Sequence, residues 1–194
     1  MRFSLSILAV VLTFTWLVAP NAPQSAPVAV AAVLALAVWR AVTIGEWGMK
    51  RSAFLPALAW SAALTAAGVV AVYLAGSRLG TWRPRPDPWS NLLLLIPWGL
   101  GQQFALHTVF LREAQATLSR TAGIGLAALM FAALHLPNPF LTVMTGLGAL
   151  AWCWIYDRYP NLLPMALSHA LLTLAILYAF DDAITGRLRV GAAY

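Results

Sequence analysis

Charge is what this chain has least of. Only 9% of its 194 residues are charged, while 61% are hydrophobic. A water-soluble domain of this size carries far more charge on its surface, so the composition excludes one and predicts an integral membrane protein. Cysteine is almost missing as well. Cys153 stands alone, which excludes an intrachain disulfide and any multi-cysteine metal site, and it is expected to fill space between helices. No ten-residue alternation of apolar and polar residues marks a barrel strand. Internal repeats, low-complexity tracts and a second domain are not evident either. The net charge is +6, but its Lys and Arg residues are scattered among the loops rather than gathered in a stripe. That scatter suits headgroup anchoring and speaks against a nucleic-acid groove.

What is present is a series of apolar runs. Each is near the length, about 17–25 residues, that lets a helix cross a hydrocarbon core. Seven spans are predicted: Phe3–Ala19, Val28–Ile44, Phe54–Ala75, Leu92–Leu118, Ala122–Leu136, Leu141–Tyr156 and Leu162–Phe180. The first, behind Met1-Arg2, has the look of a signal sequence. Because many more spans follow, an uncleaved transmembrane helix is the expectation. The fold class that follows is all-α, a polytopic transmembrane helix bundle of about seven spans in a single membrane domain, 1–194. Within it, 1–90 supplies N-terminal spans and a polar loop (Gly76–Asn91, a candidate interfacial lid), and 91–180 the core helices. Short connections after residue 118 predict that the last four helices are near neighbours.

Basic residues divide almost evenly between the two sides. With a cytoplasmic N-terminus, Arg2, Arg40, Lys50, Arg51, Arg112, Arg120 and Arg158 fall inside and Arg78, Arg83, Arg85, Arg187 and Arg189 outside, which only weakly favours that orientation. Arg112 with Glu113 reads as a solvated pair at a helix end, Asp157 with Arg158 as a loop pair, and Glu46 as a turn cap.

Strongly polar groups at membrane depth are functional-site candidates by default. All three histidines, His107, His135 and His169, lie in or at the ends of predicted spans. Gln102 and Gln103 precede His107 by about one helical turn, and Gln103 shares its face. Thr173 follows His169 by one turn. Each has a plainer reading: interhelical hydrogen bonding for the amides and His107, interface anchoring for His135, packing for His169. Five such groups on three late helices make a common polar pocket the better expectation. Two chemistries fit three imidazoles. One is a Zn²⁺ site on His107, His135 and His169 with a position open for water. The other is metal-free, one imidazole activating water while others hold an oxyanion.

"QQFALH", then "FAALH", then "SHALLT" stand in this order along the late helices. Their order and spacing resemble those of the CAAX-processing and bacteriocin-immunity membrane proteases, the type II CAAX prenyl endopeptidase (CPBP or Abi) group. The resemblance covers about Gly99–Thr173, under half of the chain. That family's pattern is Glu-Glu-x-x-x-Arg, then Phe-x-x-x-His, then His-x-x-x-Asn or a similar small polar residue. It implies a membrane-embedded peptide or protein substrate, a lipid bilayer as surroundings and a bacterial inner (plasma) membrane as location. By position it assigns water activation to Gln102 with His135, and the oxyanion to His169 with Thr173. The departures are specific: Gln102 and Gln103 stand where the family has glutamates, and His107 where it has arginine. An amide cannot accept a proton, so Gln102 is no general base, although it can orient a water. Losing two carboxylates together with one guanidinium leaves no buried charge without its partner. The readings that follow are an intramembrane endopeptidase with altered chemistry, a catalytically inactive relative that binds a membrane peptide, a lipid or a partner protein, or an unrelated histidine-site carrier or metalloenzyme for lipidic substrates.

Overall fold

The computed structural model describes residues 1–82 and 87–194. Arg83 and Arg85, counted above as outer charges, and part of the proposed lid lie outside the described residues. The protein is an all-α polytopic membrane protein. The helices are α1 (Arg2–Val18), α2 (Ala26–Ile44), α3 (Phe54–Leu79), α4 (Pro88–Gln115), α5 (Arg120–Ala133), α6 (Pro139–Arg158), α7 (Leu162–Ala179) and the short α8 (Asp182–Thr185). Five of the apolar helices are long enough to cross a membrane, while α1 and α5 are apolar but shorter. Among the described residues the only β pairing is an isolated antiparallel bridge between Met49 and Asn161.

Helix ends follow local chemistry. Gly45 and Gly80 stop α2 and α3 in the left-handed conformation that glycine adopts without strain. Ser119, Asn161 and Asp181 open α5, α7 and α8, each side chain accepting a hydrogen bond from a first-turn amide. Two segments leave the α-helical register. The end of α1 (Phe14–Val18) and the middle of α4 (Ala105–Leu111) are π-helical. Single π turns of this kind recur at functional positions.

The described residues form two compact units, Met1–Trp47 with Phe104–Trp154 and Leu188–Tyr194, and Gly48–Gln103 with Ile155–Arg187. In the first unit, α1 packs on α2, and the π segment of α4 packs on α2 and α5. Its polar groups correct the sequence reading. Glu113 is buried, and its carboxylate accepts from the Phe3 amide at 3.3 Å, the Ser4 amide at 2.8 Å and the Ser4 hydroxyl at 2.7 Å. The exposed donors of a helix N-terminus attract a carboxylate, here one supplied by another helix. Arg112 therefore does not pair with Glu113. It reaches Glu46 at 2.6 Å and Gln115 at 3.1 Å, so Glu46 is an ion-pair partner rather than a turn cap. Arg40 is no loop charge either, since it is buried within α2 and donates to the Thr108 carbonyl oxygen. The C-terminal residues also belong to this unit. Asn138 donates to the Arg189 carbonyl at 3.0 Å, and the Gly191 amide to the Leu136 carbonyl at 2.8 Å.

In the second unit, α3 and α7 lie against each other over most of their length. Loop lengths predicted late-helix neighbours for α7, and within this unit it lies along the early helix α3 as well. The reason is a stripe of small residues, Ala57, Ser61, Thr65, Gly68 and Gly76, at helical spacing. A Cβ added at Gly68 would stand 2.5 Å from the Leu172 side chain, and one at Gly76 would stand 2.5 Å from the Ala179 carbonyl oxygen. Backbones that approach so closely favour helix association in lipid, where water supplies no hydrophobic drive. A hydroxyl pair, Thr65 to Ser168 at 2.8 Å, lies in the same seam. The Asp157–Arg158 pair, read as a loop, lies in the last turn of α6.

Candidate functional site

The site residues fall on α4, α7 and the end of α5. In the second unit, α4 meets α7 at Gly99, where an added Cβ would lie 3.1 Å from the Ala166 carbonyl oxygen and 3.6 Å from His169 Cβ. That approach places Gln103, one turn further along α4, against the His169 ring. Gln103 Nε2 stands 2.9 Å from His169 Nδ1, and both residues are buried. Gln102, beside it, holds its Oε1 buried and without a hydrogen-bond partner. Ser168 is tied to Thr65, and Thr173 lies half-buried one turn beyond His169.

Gln103 places its amide nitrogen against Nδ1 of His169. Nε2 of Gln103 is a donor only, so Nδ1 of a neutral imidazole accepts from it. The ring proton is then on Nε2, and His169 offers a hydrogen-bond donor there. An amide can support this tautomer and an ionised carboxylate cannot, because a carboxylate only accepts.

The first unit holds the other two histidines. His135 follows the last turn of α5, where a main chain leaving the helix lets the ring fold back on its own element. Its Nδ1 lies 2.8 Å from the Phe131 carbonyl oxygen, and the Phe131 ring is tilted across it at 5.1 Å between centroids. A carbonyl only accepts, so Nδ1 carries the proton and Nε2 bears the lone pair. The Phe-x-x-x-His spacing is thus a physical unit, one turn of helix in which the Phe131 carbonyl orients the histidine. His107 is fully buried in the π segment of α4. His135 and His169 hold opposite tautomers, His135 presenting an acceptor at Nε2 and His169 a donor.

Zinc on His107, His135 and His169 is the other chemistry that the sequence offered. Among the described residues no group of three or more His, Cys, Asp or Glu side chains is placed to hold a metal ion. The first unit contains only His107 and His135, and the second only His169. Sequence reasoning missed Arg40. Its signal was a lone arginine inside the apolar run Val28–Ile44, which loop counting hid.

No curated protein and no solved structure matches the chain. Residues 84–175 match the model of the family described as type II CAAX prenyl endopeptidase Rce1-like. The matched segment takes in all six site residues and begins before α4. Over that segment, just under half of the chain, the protein is similar to the type II CAAX prenyl endopeptidase-like membrane proteins.

Proposed function

We propose that the protein is an intramembrane endopeptidase whose water-activating and oxyanion-binding groups are imidazoles rather than carboxylates, with 91–180 carrying the chemistry. The observation behind this reading is the pair of opposite tautomers. Peptide hydrolysis needs a base that takes a proton from water and a donor that meets the carbonyl oxygen as it becomes negative. His135 Nε2 has the lone pair for the first task. His169 Nε2–H suits the second, with Thr173 as its small polar neighbour and Gln103 holding its ring. Gln102 Oε1, an acceptor without a partner, orients the attacking water. In this scheme, His135 takes one water proton, the hydroxide oxygen adds to the carbonyl carbon, and the C–N bond breaks. The proton on His135 then passes to the departing amine. His107 supplies a second imidazole on the helix that bears both amides. The substrate is a membrane-embedded peptide or protein, and the setting is a bacterial inner (plasma) membrane.

A second reading has its own support. Gln102 and Gln103 occupy the positions where the resemblance places glutamates, and neither takes up a proton. On that ground the protein is a catalytically silent relative that binds a membrane peptide, a lipid or a partner. Cleavage of a co-expressed single-span reporter by the wild-type protein, lost in His135→Ala and in His169→Ala, supports the enzyme. Absence of cleavage, with reporter binding that survives both substitutions, supports the silent binder.

A further inference from the structure

Arg40 lies in α2, within an apolar run that the proposed function does not use. It is buried, and its guanidinium donates to the carbonyl oxygen of Thr108. An arginine at membrane depth is costly and marks a functional position unless its donors are satisfied. What satisfies this one is informative. Thr108 follows His107 directly, and both belong to the π-helical segment Ala105–Leu111. A π turn carries one more residue than an α turn, which shifts its carbonyls away from the amides that would otherwise fill them. A side chain inserted into the helical ladder is a recognised cause of such a local change. The Thr108 hydroxyl turns inward to its own helix and donates to the Phe104 carbonyl at 2.7 Å, so the carbonyl of Thr108 is the group offered to α2. On the α2 side, Thr43 closes on the Arg40 carbonyl at 2.9 Å, within the last turn of the same helix.

We propose that Arg40 is a positioning residue for His107. By donating to the Thr108 carbonyl it holds the π register of α4, and that register sets the direction of the adjacent imidazole. Arginine suits this role better than lysine, because its planar fork donates in several fixed directions at once. The inference rests on His107 having a part in the proposed site. Its test reads ring placement rather than cleavage, so it fails separately from the endopeptidase reading.

The measurement is the imidazole spectrum of the full chain in lipid nanodiscs, with isotope-labelled histidine. Three histidines give three assignable rings, identified by single His→Gln variants. Arg40→Met shifts the His107 ring resonances and leaves those of His169 in place. Arg40→Lys, which keeps the charge and a donor, restores the His107 resonances in part. A folded Arg40→Met protein with unchanged His107 resonances overturns the proposal, and so does an equal shift of all three rings, which marks a general loosening. Should Arg40→Met not fold, Arg40→Ala, which also removes every side-chain donor, carries the comparison. A His107 ring that stays at its wild-type resonances there counts against Arg40 as the residue that directs it, and a shifted one counts for it.

Discussion

Gln103 donates from Nε2 to Nδ1 of His169 across 2.9 Å, inside a buried contact between α4 and α7. The amide nitrogen only donates, so a neutral His169 accepts at Nδ1 and carries its proton on Nε2. Imidazole ¹⁵N shifts separate the two neutral tautomers directly. The protein is expected to show His169 protonated at Nε2 and His135 protonated at Nδ1. Gln103→Glu reverses the His169 proton or charges the ring, and Gln103→Leu leaves a buried acceptor unpaired at a cost of about 1–3 kcal/mol. An unchanged His169 tautomer in Gln103→Glu speaks against this account of the pair.

Gly99 controls the same pair from one turn away. A methyl group there meets the Ala166 carbonyl oxygen at 3.1 Å, a distance at which one helix must give way. Gly99→Ala is expected to move α4 off α7 by a few tenths of an ångström, and Gly99→Val by more. Overpacking of this kind costs about 1–3 kcal/mol. Thermal unfolding in detergent follows the stability loss, and the His169 Nδ1 resonance follows the bond. A Gly99→Val protein with wild-type values of both would show that the contact is slack.

Glu113 ties the start of α1 to the end of α4. Its carboxylate meets two amides and one hydroxyl of Phe3 and Ser4. Glu113→Ala is expected to fray the first turn of α1, with a loss of about 1–2 kcal/mol as for a missing cap. Amide hydrogen exchange at the first residues of α1 rises first. Glu113→Gln keeps an acceptor oxygen and falls between. Ser4→Ala removes one of the three bonds and produces the smaller change. Exchange that is unaltered in Glu113→Ala removes the cap from the account.

The spans were legible because bilayer crossing is read from apolar length. All seven apolar runs became helices, most with ends within a few residues of those expected, and the two short ones are α1 and α5. Loop length predicted the α4–α5 and α4–α7 neighbours, but not the pairing across to the early helix α3. The pairing of α3 with α7 was written instead in Ala57, Ser61, Thr65, Gly68 and Gly76, a small-residue stripe that hydropathy does not register. Arg112, Glu113 and Glu46 misled for a related reason. Neighbours in sequence suggested a pair, whereas successive helical residues point about 100° apart and find different partners. The candidate site residues were recognisable as polar groups in an apolar solvent. The direction of each imidazole was not, because it depends on a carbonyl at Phe131, an amide at Gln103 and a π turn around His107, none of which hydropathy records.

The central claim, that imidazoles carry out peptide hydrolysis without a carboxylate base, is tested most directly by cleavage of a single-span peptide in proteoliposomes. The wild type is compared with His135→Ala, His169→Ala and the triple variant Gln102→Glu, Gln103→Glu, His107→Arg. The account predicts turnover by the wild type, a fall of about 10²-fold or more in each alanine variant, and no gain in the triple variant. A silent wild type beside an active triple variant would contradict it, showing a protease that the amides had switched off.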